Sequence, residues 1–202
     1  MRAAADAAVT QQPGTPVRIL ELGCGTGEFA ARLIQGLPEA TVVATDQSVR
    51  MVELTRARGV EAQVADVMRL PFPDDAFDVV VALWMLYHVP DLATGLGEVR
   101  RILRAGGTFV AATNGDEHLA GLLTAAGGRP LLTSFSSENG ADALVPHFAT
   151  VERHHHRSVA HFADSAQARA YLATFSLQLA SQLPPFTGAR TYAGASSVFV
   201  AR

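Results

Sequence analysis

The feature that most constrains the fold is the stretch of residues 17–30. An apolar run there is followed by an acidic residue, three alternate glycines and a helix-forming segment. This order predicts a buried strand over residues 17–22, a tight turn and a helix N-terminus. Glycines allow positive φ and let a ligand approach the backbone where a side chain would block it. Because free N–H groups at a helix start favour an anionic or polar ligand, the stretch predicts a nucleotide-type binding turn.

Further apolar segments alternate with helical patterns downstream and are predicted to be strands, at residues 41–45, 60–65, 77–83 and 108–113. Continuous apolar strands that alternate with helices predict a parallel sheet covered on both faces. Ligands bind such sheets at the carboxyl ends of the strands. The glycine turn, Asp46, Asp66 and residues 83–88 each follow a strand, so we expect them to converge on one crevice.

The helix pattern that starts after Asp91 is expected to end at Gly106 and Gly107. The later part of the chain has weaker patterns. They predict helices over 117–126 and 139–148, a strand over 150–161, one long amphipathic helix over 164–183 and a last strand over 196–201. Residues 1–16 are expected to form a short helix or a loose tail.

Composition excludes several classes of protein. A net charge of −3 gives no overall attraction to nucleic acid or to an anionic membrane. The single Cys24 excludes an internal disulfide and a Cys-rich zinc site. No apolar run approaches the roughly 20 residues of a membrane span, and the first residues lack a signal-peptide pattern. We therefore expect a soluble, cytoplasmic, single-domain protein over residues 1–202.

The glycine spacing argues against a dinucleotide. A dinucleotide site has the pattern G-x-G-x-x-G. Gly23 and Gly25 fit this pattern, but Glu28 occupies the third place and the glycine falls one residue early, at Gly27. An acidic side chain there would face a pyrophosphate unfavourably, whereas S-adenosylmethionine has a ribose and an adenine but no phosphate.

The segment 21–27 (ELGCGTG) resembles the first motif of class I S-adenosylmethionine-dependent methyltransferases. The resemblance continues over residues 17–115, through Asp46, 65–67 (ADV), 77–80 (FDVV), 87–89 (YHV) and 99–107 (VRRILRAGG). Within that superfamily the chain is similar to the type-11-like, small-molecule branch. The implied fold is a Rossmann-like α/β/α sandwich with a seven-stranded, mostly parallel sheet whose last strand is antiparallel.

The resemblance also implies how the chain is divided and which residues bind the cofactor. Residues 17–115 would be the cofactor-binding core, 116–185 the acceptor-site and cap region, and 186–202 the C-terminal strand. The glycine backbone would meet the methionine portion, Glu21 its ammonium, Asp46 the ribose hydroxyls and Asp66 the adenine amino group. The full set of expected cofactor-binding residues is Glu21, Gly23, Cys24, Gly25, Gly27, Asp46, Gln47, Asp66, Val67, Leu83 and Trp84.

The implied reaction is transfer of a methyl group from S-adenosylmethionine to an O or N atom of a small organic acceptor, with S-adenosylhomocysteine as product. A general base is useful only if the acceptor must lose a proton early. His88 is the first candidate, followed by Tyr87 and His118. The aromatic residues expected to wall the acceptor pocket are Phe135, Phe148, Tyr171 and Phe175.

Other interpretations stay open. The chain could act on RNA or protein, or bind the cofactor without catalysis, and it could be a monomer or a homodimer. Cys24 could be a small turn residue rather than a reactive thiol. His154, His155 and His156 point alternately to opposite faces of a strand, so no metal site is expected there. Only sixteen residues precede the first strand, so either the acceptor pocket is more open, a partner chain completes it, or the start of the chain is shortened.

Overall fold

The computed structural model describes residues 16–202. The tail expected over residues 1–16 therefore lies, apart from Pro16, outside the described residues. The strands are β1 (Arg18–Leu22), β2 (Thr41–Asp46), β3 (Glu61–Val64), β4 (Phe77–Leu83), β5 (Leu103–Asn114), β6 (Val151–Phe162) and β7 (Arg190–Ala201). The helices are α1 (Glu28–Gly36), α2 (Val49–Arg56), α3 (Leu92–Ile102), α4 (Ala120–Ala125), α5 (Gly140–Leu144), α6 (Ser165–Ala173) and α7 (Leu177–Gln182). No helix among residues 16–202 is both long enough and apolar enough to span a membrane.

The strands form one sheet of seven strands in the order β3-β2-β1-β4-β5-β7-β6. The pairs from β3 through β5 are parallel, whereas β7 is antiparallel to both of its neighbours. The predicted seven-stranded, mostly parallel sheet with an antiparallel last strand is confirmed. The strand order reverses between β1 and β4, and this reversal opens a crevice at the carboxyl ends of those strands.

Alternating residues of the central strands divide the core between the two faces of the sheet. Leu20 and Val80 pack with Leu96 of α3 on one face, while Ile19 and Val79 belong to the cluster of α1 and α2 on the other. Side chains at successive strand positions point to opposite faces, so a continuous apolar run serves both layers. Helices therefore cover both faces of the sheet because the central strands present apolar side chains on both faces.

A third apolar cluster lies apart from the two sheet faces. It joins α4, α6, α7 and the segment before β7 through buried residues that include Leu122, Leu172, Ala180 and Phe186. No buried residue of this cluster belongs to either sheet cluster among the residues described. The helices α4, α6 and α7 therefore share a small core with the end of β6, whereas Phe135, Leu144 and Phe148 pack into the first sheet cluster.

Several predicted boundaries are wrong, and the last strand, expected from residue 196, begins at Arg190. The expected helix over 164–183 is two helices, because Ser176 accepts a hydrogen bond from the Leu179 backbone N–H and so starts α7 as an N-cap. The helix after Asp91 ends at Ile102 rather than at the glycine pair, because Leu103 is extended and pairs with Phe77. β5 then continues through the two glycines with a shift of register.

An ion pair closes the end of the sheet opposite the crevice. Asp78, near the start of β4, is only 1% exposed. Its two carboxylate oxygens accept hydrogen bonds from the Arg18 backbone N–H at 2.8 Å and from the Arg104 guanidinium at 2.7 Å. The carboxylate thereby ties the starts of β1 and β4 to β5.

Candidate active site

The glycine turn after β1 has the left-handed backbone geometry that its sequence predicts. Gly23, Gly25 and Gly27 have φ of +65°, +53° and +76°. A Cβ on Gly23 would lie 2.8 Å from the Met85 side chain, and one on Gly27 would lie 2.7 Å from the Thr55 hydroxyl. The first glycine therefore lets Met85 pack closely against the turn, and the third does the same for α2.

A cavity of about 300 Å³ lies in front of this turn, at the carboxyl ends of four strands. It brings together six of the residues expected to bind a cofactor: Gly23, Asp46, Gln47, Asp66, Val67 and Trp84. The remaining expected residues stand behind or beside the lining, namely Glu21, Cys24, Gly25, Gly27 and Leu83. We refer to this space as the first cavity.

Two carboxylates on the wall of the first cavity are held in place by backbone N–H groups. Asp46 accepts from Gly25 at 3.0 Å and from Ser48 at 2.9 Å, one bond on each oxygen. Asp66 accepts from Met68 at 2.9 Å. An ionised carboxylate has about four lone-pair sites. Each therefore keeps acceptor capacity for the hydroxyl or amino groups of a ligand.

Glu21 lies buried beneath the turn, at 3% exposure, and its Oε2 atom has no hydrogen-bond partner. The pKa of Glu21 is raised from 4.5 to about 7, and burial is the main cause; a backbone hydrogen bond at Ala30 opposes the shift and the nearby Asp46 charge adds to it. Desolvation disfavours the charged form of a carboxyl group. An orphaned buried carboxyl oxygen suits a ligand that brings a positive charge.

Replacing Glu21 with Gln should change the pH dependence of stability in the unliganded protein. The folded-state pKa of about 7 exceeds the ordinary 4.5, so the folded protein binds the extra proton. The stability contributed by that proton is present below pH 4.5 and is lost as the pH rises through 7. Urea unfolding should show the variant gaining about 2 to 3 kcal/mol relative to wild type between pH 5 and pH 8.

The control for this experiment is the exposed Glu53, replaced by Gln, whose difference from wild type should stay flat with pH. A flat difference for the Glu21 variant as well would show that the buried carboxyl does not titrate in this range.

Trp84 lines the first cavity and separates it from a second cavity described below; we call this residue the partition. Its φ of +52° lies in the left-handed region, which is unusual for a bulky residue and common at functional sites. Its backbone N–H donates to Ala112 and its indole N–H donates to Asn114 Oδ1 at 3.0 Å. Because an indole N–H can only donate, the Asn114 oxygen must face Trp84, which leaves the amide NH₂ group for other partners.

A second cavity, of about 490 Å³, lies beyond this partition. Its walls come from the turn at Leu86–His88, from the end of β5, from α4, from α6 and from the loop around residue 132, and they include Tyr87, Asn114, His118, Leu132, Tyr171 and Phe175. His88 lines both cavities. The two spaces therefore meet at His88, next to Trp84.

The three residues predicted to act as a base all lie on the second cavity. The Tyr87 ring packs edge-on against His88 with centroids 4.5 Å apart, and burial raises the pKa of Tyr87, with Tyr171 adding to the shift. His118 Nδ1 lies 2.9 Å from the Ala195 carbonyl oxygen and 3.2 Å from its nitrogen, and burial lowers the pKa of His118. The Ala195 backbone occupies Nδ1 in either tautomer, so Nε2 is the nitrogen free to meet a ligand.

Of the other residues singled out from the sequence, some are buried in the protein interior and two line the second cavity. Cys24 is buried, its Sγ lies 3.3 Å from the Thr55 hydroxyl, and burial raises the pKa of its thiol. Phe135 and Phe148 lie in the sheet core, whereas Tyr171 and Phe175 do line the second cavity. Within residues 16–202 no group of three or more His, Cys, Asp or Glu side chains is arranged to hold a metal ion.

Sequence reasoning missed Met85, Asn114, Leu131 and Leu132, which line one cavity or the other. Asn114 is the last residue of β5, so the rule that ligands meet strand carboxyl ends could have found it. The two leucines stand in a loop with no periodic pattern that could mark them.

Comparison with known proteins agrees with this geometry. Residues 20–111 match the methyltransferase-domain family. The chain is 41% identical over 101 residues to a demethylmenaquinone methyltransferase of Thermus thermophilus, a match covering 47% of this chain and 46% of that protein. The chain spans less than half the length of the curated relatives it matches first.

Two solved structures share the whole fold at low identity. The YcgJ protein of Bacillus subtilis superposes with a TM-score of 0.69 at 16% identity and covers 98% of this chain and 97% of that one. Phosphoethanolamine N-methyltransferase 2 of Haemonchus contortus, solved with S-adenosylhomocysteine, has a TM-score of 0.63 at 18% identity and covers 99% of this chain and 51% of that one. Residues 20–111, the segment that matches the methyltransferase-domain family, make up a little under half of the chain.

Proposed function

We propose that this protein is an S-adenosylmethionine-dependent methyltransferase that acts on an O or N atom of a small organic molecule. The observation that carries the proposal is the junction at His88, where a cavity with two fixed carboxylates meets a second, more apolar cavity. A methyl donor in the first and an acceptor in the second would place their reacting atoms side by side. Such alignment can supply much of the rate enhancement of a displacement reaction.

The first cavity fits the donor. Asp46 can accept from both ribose hydroxyls, and Asp66 from the adenine amino group, with the Val67 backbone N–H near the ring. Glu21, with its unpartnered oxygen beneath the turn, suits the ammonium of the methionine portion. The bound donor supplies an activated methyl group on a sulfonium, and the aromatic face of Trp84 favours a nearby cation.

The protein's own contribution is positioning, exclusion of water and, for a hydroxyl or protonated amine acceptor, removal of a proton. His88 is the first candidate for the base because it touches both cavities. Tyr87 is adjacent to it, and His118 stands on the wall of the second cavity with Nε2 free. A base at this point contributes typically 10²- to 10⁴-fold in other enzymes.

The alternative of an RNA or protein acceptor requires a basic surface around the site. The arginines of α3 do not supply one, because Arg101 is bonded to Glu98 and Asp74. Arg104 is bonded to Asp78 at the opposite end of the sheet. These contacts favour a small-molecule acceptor over a macromolecular one.

The proposal predicts that the purified protein forms S-adenosylhomocysteine from S-adenosylmethionine when a small-metabolite extract is added. His88→Gln should lower this turnover at least tenfold and change donor affinity much less, because His88 is placed at the junction of the cavities rather than against the two carboxylates. Product formation is followed by mass spectrometry, and donor affinity by calorimetry.

Three results would redirect the proposal. Turnover only with an RNA or protein fraction would identify a macromolecular acceptor. Donor binding without turnover in any fraction would identify a non-catalytic binding protein. Equal turnover by wild type and His88→Gln would remove His88 as the base and leave Tyr87 and His118.

A further inference from the structure

The polar side chains that line the second cavity are those of Thr, Tyr, Asn and His residues. Of the described residues that line it, none is Asp, Glu or Arg, and the chain contains no Lys. Its ionisable groups are tyrosines and histidines. Burial raises the pKa of Tyr87 and of Tyr171 and lowers that of His118, so these three stay neutral at neutral pH. A charged ligand would lose its hydration in such a space without gaining a counter-charge, which is strongly unfavourable.

Aromatic rings form one wall of this cavity. Tyr171 and Phe175 meet edge to face with centroids 5.8 Å apart. Tyr87, paired with His88, stands on the β4 side of the same space. Aromatic walls favour planar, ring-containing ligands through offset and edge-to-face contacts.

Besides His88 and the Tyr87 and Tyr171 hydroxyls, the lining offers such a ring few hydrogen-bonding groups. The hydroxyls of Thr113 and Thr133 are both committed to the Phe135 carbonyl oxygen, at 2.8 and 3.0 Å. The amide of Asn114 is oriented by Trp84 so that its NH₂ group remains available as a donor. A ligand with one or two oxygen atoms would satisfy this donor, together with His118.

The mouth of the cavity is apolar and open to solvent. Leu132 is 79% exposed, Leu131 is 53% exposed and Phe175 is 47% exposed, and all three also line the cavity. Contiguous exposed apolar side chains at the rim of a site mark a binding surface. We call these three residues the rim. It extends the apolar wall outward, so part of an apolar ligand can lie on it.

We propose that the methyl acceptor is a neutral ring compound with a hydroxyl or carbonyl oxygen and an apolar substituent that lies on the rim. This inference rests on the proposed function, because it assigns the second cavity to the acceptor. The ring would lie between the aromatic wall and His88, with its oxygen toward Asn114.

The test is a calorimetric titration of the protein with phenols that carry 4-alkyl chains of one, four and six carbons, beside 4-alkylbenzoates of the same lengths. Each added methylene should tighten phenol binding about threefold, and the benzoates should bind at least tenfold more weakly than the matched phenols. Leu132→Ser should weaken the longest phenol at least threefold and leave the shortest unchanged. The control is Leu177→Ser, since that leucine is 77% exposed but does not line the cavity.

Benzoates that bind as tightly as phenols would overturn the neutral-acceptor assignment. A chain-length series that Leu132→Ser and Leu177→Ser alter equally would overturn the role of the rim. Because these titrations need no methyl donor, binding in the expected order without methyl transfer would contradict only the proposed function. Turnover with a charged acceptor would contradict only this inference.

Discussion

Replacing Asp46 with Ala is expected to weaken S-adenosylmethionine binding about a hundredfold. Asp46 ends β2 at the wall of the first cavity, where its two oxygens can each accept from one ribose hydroxyl. Hydrogen bonds to a charged group contribute about 1.5 to 3 kcal/mol each. Two such bonds correspond to about 3 kcal/mol, which is roughly two orders of magnitude in the dissociation constant.

Asp46 also accepts hydrogen bonds from the backbone N–H groups of Gly25 and Ser48. Its removal could therefore weaken donor binding indirectly, by changing the shape of the turn. A donor analogue lacking the ribose 2′-hydroxyl separates these effects. Wild type should bind this analogue at least tenfold more weakly than S-adenosylmethionine, and Asp46→Ala should bind the two almost equally. A double-mutant comparison of this kind isolates the direct contact. If Asp46→Ala kept the wild-type preference for the hydroxyl, the carboxylate would not contact the ribose.

Replacing Asp78 with Ala should lower the free energy of unfolding by about 3 kcal/mol, since removing one partner of a buried ion pair strands the other. Asp78 is 1% exposed and satisfies both the Arg18 backbone N–H and the Arg104 guanidinium. The Arg104 side chain is 37% exposed and can be partly rehydrated, so we expect the lower end of the usual range. Urea unfolding at pH 7 measures the loss.

Asp74→Ala is the matched control, because its carboxylate pairs with Arg101 but is 74% exposed. Exposed ion pairs contribute about 0 to 1 kcal/mol. Because Asp78 lies at the end of the sheet away from the first cavity, donor affinity of the folded Asp78→Ala variant should match wild type. Equal losses in the two variants would mean that the buried pair has no special role.

The strands and helices of residues 17–115 could be predicted because each follows from a pattern within a short stretch of sequence. The apolar run at residues 77–83 coincides with β4, and Asp91 caps α3 as expected. The carboxyl ends of parallel strands share one edge, so strand assignment alone brought Asp46 and Asp66 together. That assignment needs no knowledge of distant contacts.

The structure of the chain after residue 115 could not be predicted as well, because its geometry depends on packing between distant segments. α4, α6 and α7 are short. The third apolar cluster, which these helices share, fixes the positions of Tyr171 and Phe175 relative to Tyr87 around the second cavity. Ser176 starts a new helix inside a stretch whose apolar spacing is that of one helix. Phe135 and Phe148 are aromatic residues that could not be distinguished from Tyr171 in the sequence, yet they pack into the sheet core.

The partition between the cavities has an optical consequence. Trp84 is the chain's single tryptophan, and its indole ring stands between the first cavity and Asn114 of the second cavity. With excitation at the red edge of indole absorption, fluorescence from the unlabelled protein originates at this one position. Filling either space would change the polarity around the ring, so the order of ligand binding can be followed by stopped-flow emission from a reporter already built into the site.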